Sequence, residues 1–320
     1  MESLARLKRR SWMREIRIRV ARIRITTIRA DLHNHSCLSP CADLSMSPSL
    51  MAKTARERNI DLMAITDHNA ALNCPAFAIA CAREGVLPLF GLELNSSEEV
   101  HLLALFATPR DALSFGSELY HLIPALAWDS GTFGDQVVVD EYENVLELHD
   151  RWLGAAMDAA FGDLAQKAHS AGALVIPAHV DRGMFSVYSQ LGFLPPGPYD
   201  AVESIGPPPE SLTGGLCALS GSDAHYPEHI GRRPFLVDLP ESSVRDLREA
   251  LGEYARTYDA RRGSREAGDI FGGYSDLLAD PLLDLYPEKE ARTLFAALGE
   301  ALADRRVTPT HTANPLVGED

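Results

Sequence analysis

The strongest constraint on the fold is a rhythm that begins near residue 30. Short apolar, β-like runs alternate with longer segments of helical pattern, an order that argues for parallel strands joined by helical crossovers. The strand-like runs are TIRADLH, DLMAITDH, LPLFGLEL, HLLALFA, ALVIPAH, DAVESIG and LCALSGSDAH, with FLVDLP as one more strand closing the domain. Between them, SPSLMAKTARERN opens on Ser47 and Pro48 as cap and first-turn residue, CPAFAIACAREG closes on Gly85, and LAQKAHSAG closes on Gly172. From about residue 108 to 162 the rhythm breaks into an insertion containing VVVDEYENVLEL, read as a hairpin around Glu141 to Asn144, with a helix to follow near Trp152. Insertions of this length usually shape or cover a site. The expected organisation is a basic extension over 1–27, a barrel over 28–240 carrying the insertion at 108–162, a helical segment over 241–305, and a flexible tail over 306–320.

Charge and cysteine content narrow the class. The formal net charge is −15, unevenly spread. Residues 1 to 30 hold ten Lys or Arg against Glu2 and Glu15, so that stretch is +8 and the remainder −23. A basic arm can attract nucleic acid or an anionic surface, but Trp12 is the single aromatic among its charges, too little interleaving for base stacking. It reads as a loosely attached extension or as an arginine-faced strand. An acidic body makes duplex DNA an unfavourable broad-surface partner, because phosphate neutralisation needs clustered cations. No apolar run approaches the roughly eighteen residues of a membrane span, and the N-terminus shows no signal-peptide core, so a cytoplasmic protein is expected. Five cysteines do not suggest a disulfide framework. Cys37 and Cys41 form a lone C-x3-C, read as small partly buried thiols, with a metal or redox role as the alternative.

Where the apolar runs end carries the chemistry. His33, His35, His68, His101, His179 and His225 lie in or beside strand candidates, and Asp67, Glu93 and Asp223 share that bias. In a closed barrel of parallel strands the carboxyl ends converge on one rim, so residues remote in sequence meet there. His101 precedes its apolar run and must reach the rim from an antiparallel strand or a loop. Singly, each has an ordinary explanation: a chance H-x-H, a strand-end cap at His68, a surface carboxylate at Glu93, a core histidine at His179. Jointly they would bury several polar groups by accident beside apolar stretches, which is costly. Imidazoles and carboxylates suit zinc, manganese or iron, and this many donors exceed what one tetrahedral ion uses, so two or three divalent ions are implied. Neighbouring cations activate water and neutralise a leaving oxygen, the usual strategy for phosphoryl hydrolysis.

ADLHNHSCLSPCAD, MAITDHN, GLELN, HLLALF, IPAHVDR and SGSDAH, in that order, closely resemble the metal-binding motifs of the PHP family, named for bacterial DNA polymerases and histidinol phosphatases. The resemblance covers roughly residues 28 to 240. It implies a distorted (β/α)7 TIM-like barrel whose carboxyl rim holds a trinuclear centre that hydrolyses phosphomonoesters or phosphodiesters. It further implies that His33, His35, Glu93 and Asp223 ligate one ion, that Glu93 bridges to a second held by His101 and His179, and that Asp43, His68 and His225 hold a third. Asp43 stands eight residues after His35, where many relatives carry the acid about five residues on; without it the site would be binuclear. A hydroxide bridging the first two ions is the implied nucleophile. Asp223 and His225 are thus expected to act in the reaction, with Arg182 as a bidentate phosphate clamp or, equally, an ion pair with a carboxylate such as Asp181. Asp67 is expected to orient a ligand histidine. The expected substrate is a small phosphorylated molecule or short nucleotide. The alternatives are a nuclease trimming oligonucleotides from an end, a metal-binding regulatory domain without turnover, and an amide hydrolase, against which no lysine stands at a strand end.

Overall fold

The computed structural model describes residues 23–262 and 273–310 of the chain. All eight apolar runs form strands: β1 (Ile25–Asp31), β2 (Leu62–His68), β3 (Leu87–Asn95), β4 (His101–Phe106), β7 (Leu174–Pro177), β8 (Ala201–Glu203), β9 (Cys217–Leu219) and β10 (Phe235–Pro240). The insertion contributes the hairpin β5 (Val137–Val139) and β6 (Val145–Leu148), and β11 (Val307–Pro309) follows the last helix. Seven strands make one curled sheet in the order β11-β10-β1-β2-β3-β4-β7. Within it β1, β2 and β3 are parallel to one another, while β4 and β10 run antiparallel to the strands on either side of them. The sheet is therefore not seven repeated βα units. β8 and β9 instead form a separate parallel pair, and a bridge between Asn34 and Ala224 brings the segment after β9 back to the end of β1.

β2, β3 and β4 are buried at every position, as expected of strands covered on both faces. Phe77, Phe90, Phe106, Phe161 and Phe235 are fully buried in one continuous core. The cap signals hold. Ser47 Oγ accepts from Leu50 N at the start of the helix Pro48–Glu57, and Gly85 takes φ +72° at the end of Cys74–Glu84.

Three expectations need correction. No helix forms at Trp152: Asn69 donates to the Leu153 and Ala155 carbonyls and Asn95 to that of Gly154, so the acceptors a helix would use are taken. The insertion instead opens with the helix Pro109–Leu119, capped by Thr108. The first strand of the sheet begins at Ile25, and β11 pairs with β10, so residues 307–309 belong to the sheet and are not a flexible tail. Residues 1–22 and 311–320 lie outside the described residues. The helices Glu241–Arg262 and Glu288–Ala303 pack on the barrel through Leu247, Leu251, Leu294 and Leu298. Among the described residues no helix is long and apolar enough to cross a membrane.

Candidate metal centre

The polar residues at the strand ends meet at one rim. His33 and His35 follow β1, His68 ends β2, and Glu93 stands opposite it on β3 in the parallel register. His101 starts the antiparallel β4 opposite Asn95, which delivers it to the same rim from the other direction, as its place before an apolar run required. His179 follows β7 by two residues, and Asp223 and His225 follow β9. His179 and Asp223 adopt φ of +31° and +47°, a strained region for residues other than glycine, costing on the order of 1–3 kcal/mol each. The loop around Asp223 is held in this shape from outside. Asp31 accepts from Ser222 N and Gly231 N, and Arg232 and Arg233 donate to the Ser222 and Gly221 carbonyls.

Glu93 is the hub. Its Oε1 lies 2.7 Å from His101 Nδ1, 3.2 Å from His179 Nε2 and 3.3 Å from His33 Nε2. Its Oε2 lies 3.2 Å from both His35 Nε2 and His68 Nδ1. Asp223 Oδ1 closes the group at 3.3–3.4 Å from His35 and His33. Ring nitrogens also face one another, His33 with His35 and His101 with His179, both at 3.3 Å. Lone pairs this close repel unless a proton or cation lies between them. Burial alone raises a carboxyl pKa, yet His101, His33 and His68 hold Glu93 well below the usual range, and His33, His35 and His225 do the same for Asp223. Burial opposes charge on His35, but Asp223 and Glu93 push it up to about 9; Glu203, Glu93 and Asp223 likewise raise His33. Burial instead keeps His68 and His101 low, and burial followed by His35 lowers His225 to about 4. Three rings are thus poised neutral, as metal ligands must be. His68 Nδ1 and His179 Nδ1 are buried without a hydrogen-bond partner. These convergent donors and orphaned nitrogens fit a cluster of divalent cations.

The outer residues correct two expectations. Asp43 does not join the cluster: it is exposed, and its carboxylate accepts from Ser45 N and Ser45 Oγ. In its place Cys41 Sγ groups with His35, His68 and His225, all ligand atoms lying within 4.8 Å of one another. Asp67 does not touch a ligand histidine directly. It accepts from Ser36 and from Ser39 Oγ, and Ser39 in turn contacts His35 Nδ1 at 3.0 Å, so its influence passes through a hydroxyl. No local pattern pointed to Glu203, buried at the end of β8, which lies 2.8 Å from His33 Nδ1 and fixes that ring. Arg182 pairs with Asp223 Oδ2 at 3.2 Å; Asp181 is occupied by the backbone of Ile205 and Gly206.

The centre opens into a cleft of 580 Å³ lined by His68, Glu93, His101, Asp223 and His225 at its base, with Cys41, Arg182, Phe185, Trp128 and Trp152 above. A larger cavity of 730 Å³ beside Leu122 and Met157 contains none of these ligands and is not the site. Trp128 and Trp152 come from the insertion and stack at 6.3 Å, while Phe185 stacks on His101 at 4.9 Å.

Comparison with known proteins places this architecture. Residues 31–177 match the family model of the PHP domain and residues 213–255 that of a PHP-associated region. No curated protein sequence matches the chain. Its fold is similar to that of the lesion-specific endonuclease PfuEndoQ from Pyrococcus furiosus, at 17% identity and a TM-score of 0.50 over 71% of this chain and 56% of that one. It is equally similar to Endonuclease Q bound to a 27-mer duplex with an abasic lesion at the active site, at 18% identity and a TM-score of 0.51 over 71% and 57%. The chain thus spans less than two thirds of the length of those structures. With the motifs converging on one rim and both family models matched in order along it, the chain belongs to the PHP-domain family.

Proposed function

We propose that the chain hydrolyses phosphate esters of nucleotide-like substrates at a centre of two or three divalent ions, zinc, manganese or iron. The match to the PHP-domain model supports reading the chain as a metal-dependent phosphoesterase, a hydrolase of ester bonds. The observation that carries the reading is Glu93, buried and met by five imidazoles at 2.7–3.3 Å. Such a carboxylate is suited to bridging ions, with His33, His35 and Asp223 on one side and His101 and His179 on the other. When bound, the ions would activate water and neutralise charge building on the ester oxygens. The chain's own groups orient the substrate. Arg182, 40% exposed at the cleft wall, is free to exchange Asp223 for a phosphate oxygen. Trp128, Trp152 and Phe185 offer apolar faces on which a base can stack, worth about 1–3 kcal/mol per base.

A nuclease reading is supported by the same aromatic walls and by the fold shared with Endonuclease Q, one structure of which holds a DNA duplex. The argument from net charge against duplex DNA therefore finds no support, since that charge is summed over the whole chain and not over the cleft.

The deciding measurement is hydrolysis by the metal-loaded chain of a panel of phosphomonoesters, phosphodiesters, mononucleotides and short oligonucleotides. Turnover of nucleotide esters, lost with Asp223→Ala, is expected. A fully metallated sample that leaves the whole panel intact would overturn the proposal. Preference for oligomers with steep salt dependence would select the nuclease.

A further inference from the structure

We infer that this chain completes its third metal position with the thiolate of Cys41, a ligand of different chemical class from the carboxylate its Asp43 would have supplied. The inference rests on the reading of the rim as a metal centre. Three observations carry it. The Cys41 Sγ and the ring nitrogens of His35, His68 and His225 form a group whose ligand atoms all lie within 4.8 Å of one another. His35 is already committed, with Nδ1 at 3.0 Å from Ser39 Oγ and Nε2 directed at Glu93 and Asp223. Cys41, His68 and His225 remain as a set of three, and His68 Nδ1, although 3.2 Å from Glu93 Oε2, is a buried nitrogen that makes no aligned hydrogen bond. The only acid near in sequence, Asp43, is turned outward, its Oδ1 accepting from both Ser45 N and Ser45 Oγ.

The loop explains how sulfur replaces oxygen. Asp43 N donates to the His225 carbonyl and Met46 N to the Asp43 carbonyl, so the backbone at Asp43 is tied to the rim while its side chain closes a turn on Ser45. Two residues earlier, Cys41 lines the cleft itself beside Pro40, His68 and His225. Three protein ligands leave one position of a tetrahedral ion open, which suits an ion meant to meet substrate rather than a purely structural one. A sulfur ligand also changes metal choice. Thiolate selects zinc or iron over manganese and magnesium, so this position should differ in metal preference from the two all-nitrogen-and-oxygen positions beside it.

The test uses the full-length chain stripped of metal and titrated with cobalt(II), followed by near-ultraviolet absorption and by bound metal per chain. The wild type is expected to show a thiolate-to-cobalt charge-transfer band as the last equivalent binds. Cys41→Ser is expected to lose that band and about one equivalent of metal while retaining the others. Cys41→Asp is expected to recover the equivalent without the band, and Asp43→Ala to leave both band and stoichiometry as in the wild type. Circular dichroism of each variant reports whether it folds. Two bound equivalents without a thiolate band in the wild type, or a Cys41→Ser chain with unchanged stoichiometry, would overturn this assignment and leave the metal centre intact. A wild-type chain that takes up no cobalt would instead overturn the metal reading itself.

Discussion

At the scale of single residues, the centre depends on groups that never touch a metal. His33 uses Nε2 for the hub and Nδ1 for Glu203, at 2.8 Å, with both side chains buried. That contact fixes the tautomer and the rotation of the ring, so Glu203 acts by positioning. Glu203→Ala should weaken metal binding by about 10–100-fold, the usual cost of losing such a partner, read by competition with a chromophoric chelator. Glu203→Gln should lose less, because its amide oxygen can still accept from Nδ1–H. Equal losses in the two variants would mean that charge, and not orientation, is what Glu203 supplies. This residue was invisible in the sequence: AVESIG shows a strand with one acid in it, and nothing local says which histidine that acid will face. Asp43 misled for the complementary reason. Its spacing from His35 was close enough to a ligand pattern, but a serine two residues on captures its carboxylate, and short-range capture of this kind is a common habit of Asp in turns.

Among the elements, what could be read in advance was whatever depends on local pattern. Apolar runs yielded the eight expected strands, cap residues marked one helix start at Ser47 and two stops at Gly85 and Gly172, and the bias of His and Asp toward run ends marked the rim. Pairing is another matter. β1 and β10 pair across more than two hundred residues, β11 is too short to announce itself, and the segment at Trp152 is held irregular by Asn69, in the turn after β2, and by Asn95 at the end of β3. The β3/β4 pair shows how closely an element can depend on one residue. At Gly91 a Cβ would meet the Ala104 carbonyl oxygen at 2.5 Å and Leu105 Cδ2 at 2.8 Å, and the backbone atom cannot move aside. Gly91→Ala should therefore push β4 away from β3, at a cost of about 1–3 kcal/mol in urea unfolding of the metal-free chain. Because Glu93 lies two residues along β3 and His101 on β4, the same change should lower metal affinity. Loss of stability with unchanged metal binding would show that the rim tolerates a shift of these strands.

For the whole molecule, folding, protons and metal are one linked equilibrium. In the metal-free chain His33 and His35 are charged partners of Glu93 and Asp223. The folded value for His35 is about 9, against an ordinary 6.5. Its contribution to stability is fully present below about pH 6.5 and is lost as pH rises through about 9. His68, His101 and His225 are displaced the other way. The unfolded chain takes up their protons below about 6.5 while the folded chain resists, so stability also falls as pH drops toward the His225 value of about 4. Glu93 and Asp223, both held low, add to that acid-side loss. The chelated protein should accordingly be most stable around pH 6.5, with its melting temperature declining in both directions. Bound cations replace the protons between these groups, and the ligands must be neutral imidazole to receive them. Adding zinc at pH 7.5 should therefore release protons into a weakly buffered solution, a quantity that calorimetry in buffers of different ionisation enthalpy measures directly. The alkaline decline in melting temperature should disappear in the loaded protein. Metal uptake without proton release would mean that His33 and His35 were neutral beforehand, and the charge pattern drawn around Glu93 would then be wrong.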